Sequence, residues 1–438
     1  MDLQVIAVVA LLAAALIGMA VARLAVTVRA ALLLGAAALV ALASPGAAVL
    51  VALGVGAAVV VDVLSGRRVP AIHREVGGVL SRGVASPLTV EATDPGPASL
   101  RLRQPQVPDV TVTPAEEDER LDAQIRPRRR GRHALPPPAS RVTGPLGLAA
   151  WYRRHGDPTD VLVYPDMPAA RRLAVAVRQG RFRDPGRLTR GPLGLGTEFE
   201  SIRDYLPDDD VRQVNWRATF RTGRPMSNQY RVEQDRDVIC VVDCGRLMAA
   251  PTVDRTRLDT AVDVVAAIAL VADEVGDRCG VVAFDKEVRR RVSPRRSGGD
   301  AVVRAIFDLE PSPIDSDYEL AFRTVGGAKR AFVLVLTDLL EEAAAQPLVD
   351  AVPVLARRHA VVVASAADPD LVAAVSTPPQ RPIDVYGAAV ALDVMDARAR
   401  VAAQLRRSGA QQVVEASPDR LAAACVGAYL RAKASARL

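Results

Sequence analysis

From Leu3 to Leu64 the chain carries only three charged side chains, Arg23, Arg29 and Asp62, in an almost continuous run of Ala, Val, Leu, Ile and Gly. A helix needs about 20 apolar residues to cross the hydrocarbon of a bilayer, and residues 3–22 meet that length. A secretory signal starts with basic residues and ends at a small-residue cleavage site. This chain begins Met1-Asp2 and stays apolar, so the segment is expected to be retained. Residues 30–64 are interrupted by Ser44-Pro45-Gly46, a turn signal, which predicts transmembrane helices at about 3–22, 30–43 and 46–64. Three spans put Arg23, Arg29, Arg67 and Arg68 on one side, and the positive-inside rule makes that side the cytoplasm. The expectation is a multi-pass protein of the inner or plasma membrane with cytoplasmic soluble domains. If residues 30–64 form one tilted helix instead, there are two spans and the soluble part lies outside.

The 438 residues exceed the usual size of one hydrophobic core, so two or three domains are expected. Cys240, Cys244, Cys279 and Cys425 sit in apolar runs such as VICVVDC, with no Cys-x-x-Cys or nearby His to complete a metal set, and read as reduced core residues. The formal charge of +6 comes partly from RPRRRGR at 126–132. Beside an apolar segment, anionic membrane lipid is the expected partner, with a solvated turn as the equal alternative for that run. Nucleic acid is not expected, because aromatic residues make up 4% of the chain and no stacking motif accompanies the basic runs.

The remainder divides by pattern. After the helical region at 1–66, residues 67–185 hold short alternating stretches (PLTVEAT, SLRLRQ, DVTVTP, DVLVYP) punctuated by Pro and Gly, which predict a β-sandwich-like domain. Residues 186–236 hold a dense mixture of acids, arginines and Trp. From 237 to 438, apolar strands (VICVVD, CGVVAF, FVLVLTD, AVVVASA, QQVVEA) alternate with helical stretches at about 298–309, 341–357, 395–408 and 417–433. Such strands are buried on both faces, so this part is an α/β, Rossmann-type domain with a mostly parallel sheet, and the whole chain is α+β multidomain. In such sheets ligands bind beyond the carboxyl ends of the strands, where this chain carries Asp243 and Thr337-Asp338.

The most distinctive stretch is TEFESIRDYLPDDDVRQVNWRATFRTGRPMSNQYRVEQDRDVICVVDCGRLM at 197–248. It resembles the bacterial domain-of-unknown-function family 58, whose pattern runs Glu-Phe, Arg-x-Tyr-x-Pro-Gly-Asp-Asp, Arg-x-Ile-Asp-Trp, Ala-Arg, then an Asp-ended strand and a Met. The matching residues are Glu198, Phe199, Arg203, Tyr205, Pro207, Asp209, Asp210, Arg212, Trp216, Arg221, Glu233, Asp243 and Met248. The chain departs from the pattern at Asp208 for Gly, Asn215 for Asp and Phe220 for Ala. Asp208, Asp209 and Asp210 with Arg203, Arg212 and Arg217 can form a charge-paired knot with Trp216 and Tyr205 beneath it, either docking the motif or presenting a partner surface. The resemblance implies a hydrophobic hairpin at 29–64, a β-rich domain, and a C-terminal domain similar to von Willebrand A modules.

Those modules bind Mg²⁺ through Asp-x-Ser-x-Ser, a loop Thr and a later Asp, since a hard cation takes oxygen ligands. This sequence reads Asp243-Cys244-Gly245-Arg246-Leu247, with both serines lost. Asp243 and Asp338 remain as a degenerate metal pair, and Ser316 or Asp317 are candidates to replace the Thr. The resemblance implies a membrane-anchored adaptor protein rather than an enzyme, without a cofactor, partnered by an AAA+ ATPase of MoxR type. Two readings stay open beside it: a Mg²⁺-dependent ligand-binding module, and a hydrolase using the Asp208–Asp210 cluster. GPLGLG at 191–196 lacks the Lys-Ser/Thr ending of a phosphate loop, and the four histidines are too scattered for a zinc triad or a Ser-His-Asp arrangement.

Overall fold

The computed structural model describes residues 24–67, 70–93, 99–183, 198–206, 211, 214–231, 235–252, 254–325, 327, 330–339 and 342–434. The chain forms two compact units, Met1–Val163 and Tyr164–Leu438.

The first unit opens with strand β1 (Leu24–Val26) and two helices, α1 (Val28–Ala43) and α2 (Pro45–Ser65). Ser44 separates the helices in an extended conformation, and its side chain accepts a bond from Ala47 N–H at the start of α2. Eleven strands follow: β2 (Ala71–Val76), β3 (Val79–Ser81), β4 (Ser86–Thr93), β5 (Ser99–Arg103), β6 (Val110–Thr113), β7 (Glu116–Asp118), β8 (Arg120–Pro127), β9 (Gly131–Leu135), β10 (Ala139–Thr143), β11 (Ala149–Arg154) and β12 (Thr159–Tyr164). They assemble as an antiparallel sheet β2-β4-β8-β6, a second sheet β1-β11-β10-β5-β7, and a small one, β3-β12-β9. Strand β8 alternates strictly between exposed and buried residues, and its inner Leu121, Ala123 and Ile125 join Leu88, Leu100 and Val142 in one core. This is the period-2 pattern of a sheet with one wet face.

The expected transmembrane helices at 30–43 and 46–64 are overturned: among the described residues no helix is long and apolar enough to cross a membrane. The expected span at 3–22 lies outside the described residues. Helix α1 has 16 residues and so runs only about 24 Å, against a hydrocarbon thickness of about 30 Å. Helix α2 has 21 residues, but its last turn belongs to the β-rich core. Asp62 is fully buried and accepts bonds from Leu146 N–H (2.7 Å), Leu148 N–H (2.6 Å) and Ala149 N–H (2.9 Å), while Trp151 Nε1–H donates to Val63 O at 3.1 Å. The residues before Asp62 fall short of a span. Gly144 exists for this contact, since a Cβ there would meet the Asp62 carboxyl at 2.3 Å.

In the second unit, helix α3 (Met167–Arg178) leads to a hairpin of β13 (Glu198–Asp204) and β14 (Met226–Arg231), which brackets helix α4 (Trp216–Thr222). Then come β15 (Asp237–Asp243), α5 (Arg257–Glu274), β16 (Arg278–Phe284), β17 (Val288–Arg295), α6 (Gly299–Ile306), α7 (Tyr318–Val325), β18 (Ala331–Leu336), α8 (Glu342–Ala356), β19 (Ala360–Ala366), α9 (Pro369–Ser376), α10 (Pro382–Arg407), β20 (Gln412–Ala416) and α11 (Pro418–Ala434). One six-stranded sheet runs in the order β17-β16-β15-β18-β19-β20, parallel except for the edge strand β17. Every residue of β15, β18 and β19 is buried, because helices cover both faces. Helix α5, with a Thr256–Asp259 capping box, lies in the core on one face, and α7, α8 and the end of α10 contribute to the core on the other. The four cysteines are buried in this unit and form no disulfide. Helix α11 is anchored by Lys433 Nζ, 2.6 Å from the buried Asp277 carboxylate, which Tyr429 OH also bonds.

Candidate functional site

In the sheet order the chain reverses direction of winding between β15 and β18, and a doubly wound sheet opens its ligand crevice at that point, beyond the carboxyl ends of the strands. The residues there are Asp243, which ends β15, and Thr337-Asp338, which follow β18. Strand β15 is uniformly apolar between its terminal aspartates, so its side chains hold it in the core and deliver Asp243 to the rim, 2% exposed.

Four protein donors converge on the Asp243 carboxylate. Oδ1 accepts from Gly245 N–H at 2.7 Å and from Ser316 Oγ; Oδ2 accepts from Tyr318 OH and Thr337 Oγ1, each at 2.7 Å. Burial, and then the Asp243 charge, push the Tyr318 phenol well above its ordinary pKa, so it remains protonated at neutral pH. The loop carrying Ser316 is stitched to the loop after β15 by Ser312 N–H to Cys244 O (2.7 Å) and Arg246 N–H to Ile314 O (2.9 Å), and the Arg246 side chain pairs with Asp315. Together these loops and α8 enclose a pocket of about 330 Å³, lined by Asp243, Arg246, Leu247, Ser316, Tyr318 and Pro347 among others.

Asp338 faces a different set. Its Oδ1 accepts from Arg257 Nη1 and Leu339 N–H, both at 2.9 Å, and lies 3.4 Å from Arg398 Nη2. Both arginines are buried; Arg398 also bonds Glu415 at 2.7 Å. Burial raises the Asp338 pKa, and the two guanidinium charges oppose that rise. The two expected metal ligands thus end neighbouring strands, but one is held by hydroxyls and a backbone amide, the other by arginines.

This donor set does not fit the cation that the von Willebrand A resemblance implies. The lone pairs of Asp243 are directed at hydrogen-bond donors, Arg246 places a positive charge on the rim, and Asp338 is charge-paired elsewhere. A side chain at 245 is also barred: a Cβ there would meet Ser316 Oγ at 2.3 Å and Ile314 O at 2.8 Å. Among the described residues no group of three or more His, Cys, Asp or Glu side chains is placed to hold a metal ion. Of the two loop candidates, Ser316 reaches Asp243, whereas Asp317 accepts from Leu320 N–H in the first turn of α7.

The motif before the sheet forms its own small module. Strands β13 and β14 pair with one irregularity between Phe199 and Ser201, and α4 sits between them in sequence. Asn215 caps α4 by accepting from Ala218 N–H at 2.9 Å, and its Nδ2 donates to Asn228 Oδ1 at 2.8 Å. Gly223, at φ +72°, ends the helix in the left-handed conformation that glycine adopts without strain. Trp216 and Phe220 lie one turn apart on α4 and are 64% and 87% exposed. Arg217 and Arg221 are exposed beside them. Trp216 therefore stands exposed. Arg203 bonds Asp204 O, and Tyr205 N–H bonds Pro225 O at the base of the hairpin. Asp208, Asp209, Asp210, Arg212 and Glu233 lie outside the described residues, as does the side chain of Glu198.

Residues 201–411, from within β13 to the approach to β20, match the family described as protein of unknown function DUF58. Over those residues the chain is similar to the DUF58 family. An uncharacterized protein of Mycobacterium tuberculosis (strain ATCC 25618 / H37Rv) and one of Mycobacterium bovis are each 28% identical to it over 154 residues, 34% of this chain and 48% of the relative. The chain thus spans about half the length of the curated relatives it matches.

The DUF58 segment contains the α4 module, the Asp243 pocket and the Asp338 cluster. Asn215, where the motif pattern has Asp, is accounted for by its second bond: only an amide caps α4 and also donates to Asn228 Oδ1. Sequence reasoning did not find Tyr318, Arg257 or Arg398. Tyr318 follows Ser316 by two positions and was within reach of a loop argument. The two arginines come from helices far apart in sequence, and no local pattern marks them.

Proposed function

We propose that this chain is a protein-interaction (adaptor) protein, that its second unit is a von Willebrand A-like domain with a degenerate metal-ion-dependent adhesion site, and that it works with an AAA+ ATPase of MoxR type. The observation that carries this reading is the outward face of α4. Trp216 and Phe220 stand exposed at i, i+4 with Arg217 and Arg221 beside them. Trp and Arg are the side chains enriched at binding hot spots, and a folded chain gains nothing by leaving two large aromatic rings in water. The saturated Asp243 carboxylate supports recognition without a switching cation, and the reading includes no catalytic step.

The test is direct binding of the full-length chain to a purified MoxR-type ATPase from the same organism, with ATP, ADP and no nucleotide. A micromolar complex in at least one state is expected, weakened at least about 30-fold by Trp216→Ala with Phe220→Ala, as for the loss of hot-spot side chains. Absence of binding in every nucleotide state rejects the partner, and binding indifferent to the double substitution rejects the α4 surface.

A further inference from the structure

Strand β17 closes one edge of the six-stranded sheet, and the segment around it, KEVRRRVSPRR at 286–296, carries six cationic side chains against one acid. Two of the six are ion-paired: Arg289 Nη1 lies 2.8 Å from Asp285, and Arg296 Nε lies 3.0 Å from Asp235. Arg290 reaches only the Arg289 carbonyl, at 2.9 Å, and the exposed side chains of Arg291 and Arg295 have no partner among the described residues. Side chains of residues paired across two strands share a face, so register places these arginines on both sides of the sheet. Arg290 stands opposite Ala283, which belongs to the core that holds α5, and Arg291 stands opposite Val282, which belongs to the core that holds α7 and α8. Among the described residues, no backbone bond other than the β16 pairing joins residues 288–295 to another segment. The outer N–H and C=O groups of the strand are therefore left without a ladder partner.

We propose that β17 is a docking edge for an extended acidic segment of a partner protein, which adds to the sheet as a seventh strand. Its two consecutive carboxylates would face Arg290 and Arg291, because successive side chains of a strand point to opposite faces. Three features favour this occupant. A polypeptide strand offers both donors and acceptors to the open ladder, whereas the phosphates of lipid or nucleic acid only accept, and β17 has no aromatic ring on which a base could stack. A second copy of the chain is disfavoured, since like charges set opposite one another across two strands destabilise the pair. Charges that merely guard an edge work with either sign, but every charge that β17 leaves unneutralised is positive, which repels its own copy and attracts an acid-bearing strand. Pro294 lacks an N–H and ends the usable stretch, which leaves Val288–Ser293, the length of an ordinary strand.

The probe is a fluorescein-labelled peptide, Thr-Val-Thr-Glu-Glu-Val-Thr-Val, titrated with the full-length chain and followed by fluorescence anisotropy. Saturable binding in the micromolar range is expected, weakened by added salt. Arg290→Glu with Arg291→Glu, both at exposed positions, is expected to weaken it at least about 30-fold. The same variant should gain affinity for a probe with Lys-Lys in place of Glu-Glu, which also shows that it has folded. A Glu-Glu probe methylated on the amide nitrogens of alternate residues keeps its charge but cannot join the ladder, and is expected not to bind. A wild type that fails to bind the first probe overturns the proposal. Equal binding of the methylated probe overturns the added strand, and a double variant that binds the Glu-Glu probe as the wild type does places the site elsewhere. Vesicles containing phosphatidylserine that bind through Arg290 and Arg291 when the peptide does not would make the edge a lipid contact and also overturn the proposal.

Discussion

Restoring the serine that the metal pattern requires tests whether the Asp243 site is a metal centre missing one ligand or a differently built structure. Gly245→Ser adds a Cβ 2.3 Å from Ser316 Oγ, 2.8 Å from Ile314 O and 3.2 Å from Asp243 Oδ1. The backbone at 245, with φ −75°, accepts any residue, so the cost is steric. Ser316 and the backbone at 314 must withdraw by close to an ångström. Overpacking of this kind costs about 1–3 kcal/mol, and the lost Ser316 bond to a charged carboxylate adds about 1.5 kcal/mol. A total near 3 kcal/mol lowers the melting temperature of a unit of this size by about 6 °C. Calorimetry resolves the transition, and urea unfolding should show a lower midpoint at unchanged slope. Mg²⁺ at millimolar concentration is expected to leave both proteins where they were, since a ligand that binds only the folded state would raise their stability. The reasoning is refuted if Gly245→Ser melts within a degree of the wild type, or if Mg²⁺ raises the variant by several degrees.

Three further outcomes follow from buried polar groups. Asp62→Ala strands three backbone N–H groups at 146, 148 and 149 and is expected to destabilise the first unit by about 3–5 kcal/mol in urea unfolding, with Asp62→Asn recovering part of the loss; a cost below 1 kcal/mol contradicts the anchoring role. Arg257→Met leaves the buried Asp338 with Arg398 as its remaining cationic partner and should cost about 3 kcal/mol, while Arg257→Met with Asp338→Leu should be less destabilised than Arg257→Met alone. His359 accepts Ala331 N–H on Nδ1, and burial, helped by Arg358, lowers its pKa below the usual 6.5. The unfolded chain therefore binds the proton more readily, so stability is full above about pH 6.5 and falls as pH drops below it toward the folded pKa. Melting temperatures from pH 8 to 5 should show that decline and show less of it in His359→Gln.

Much of the second unit is legible in its residues, because burial on both faces of a parallel strand demands an unbroken apolar run, and VICVVD, FVLVL and AVVVASA have no other stable use. Helices at 299–306, 342–356 and 418–434 stand close to where periodicity places them. Helix α10 begins at Pro382, well before the expected 395, and α9 was not expected: both rely on exposed apolar residues, which weaken an amphipathic pattern. The first unit misleads for a related reason. Hydropathy counts apolar residues without knowing which of them end inside a neighbouring sheet, so the run around Asp62 resembles a membrane span although its last turn is tied to the strand loop at 146–149.

The residues alone therefore determined the strands of the α/β sheet, the aspartates at their carboxyl ends and the motif that marks the family, since each follows from local pattern or from side-chain chemistry at fixed spacing. Only the tertiary structure decided what those aspartates do. Ser316, Tyr318 and Thr337 meet at Asp243, and Arg257 and Arg398 meet at Asp338, from elements far apart in the sequence. A carboxylate's role is set by which charges and donors surround it after folding, and the six strands, in an order that differs from their order in the chain, choose those neighbours.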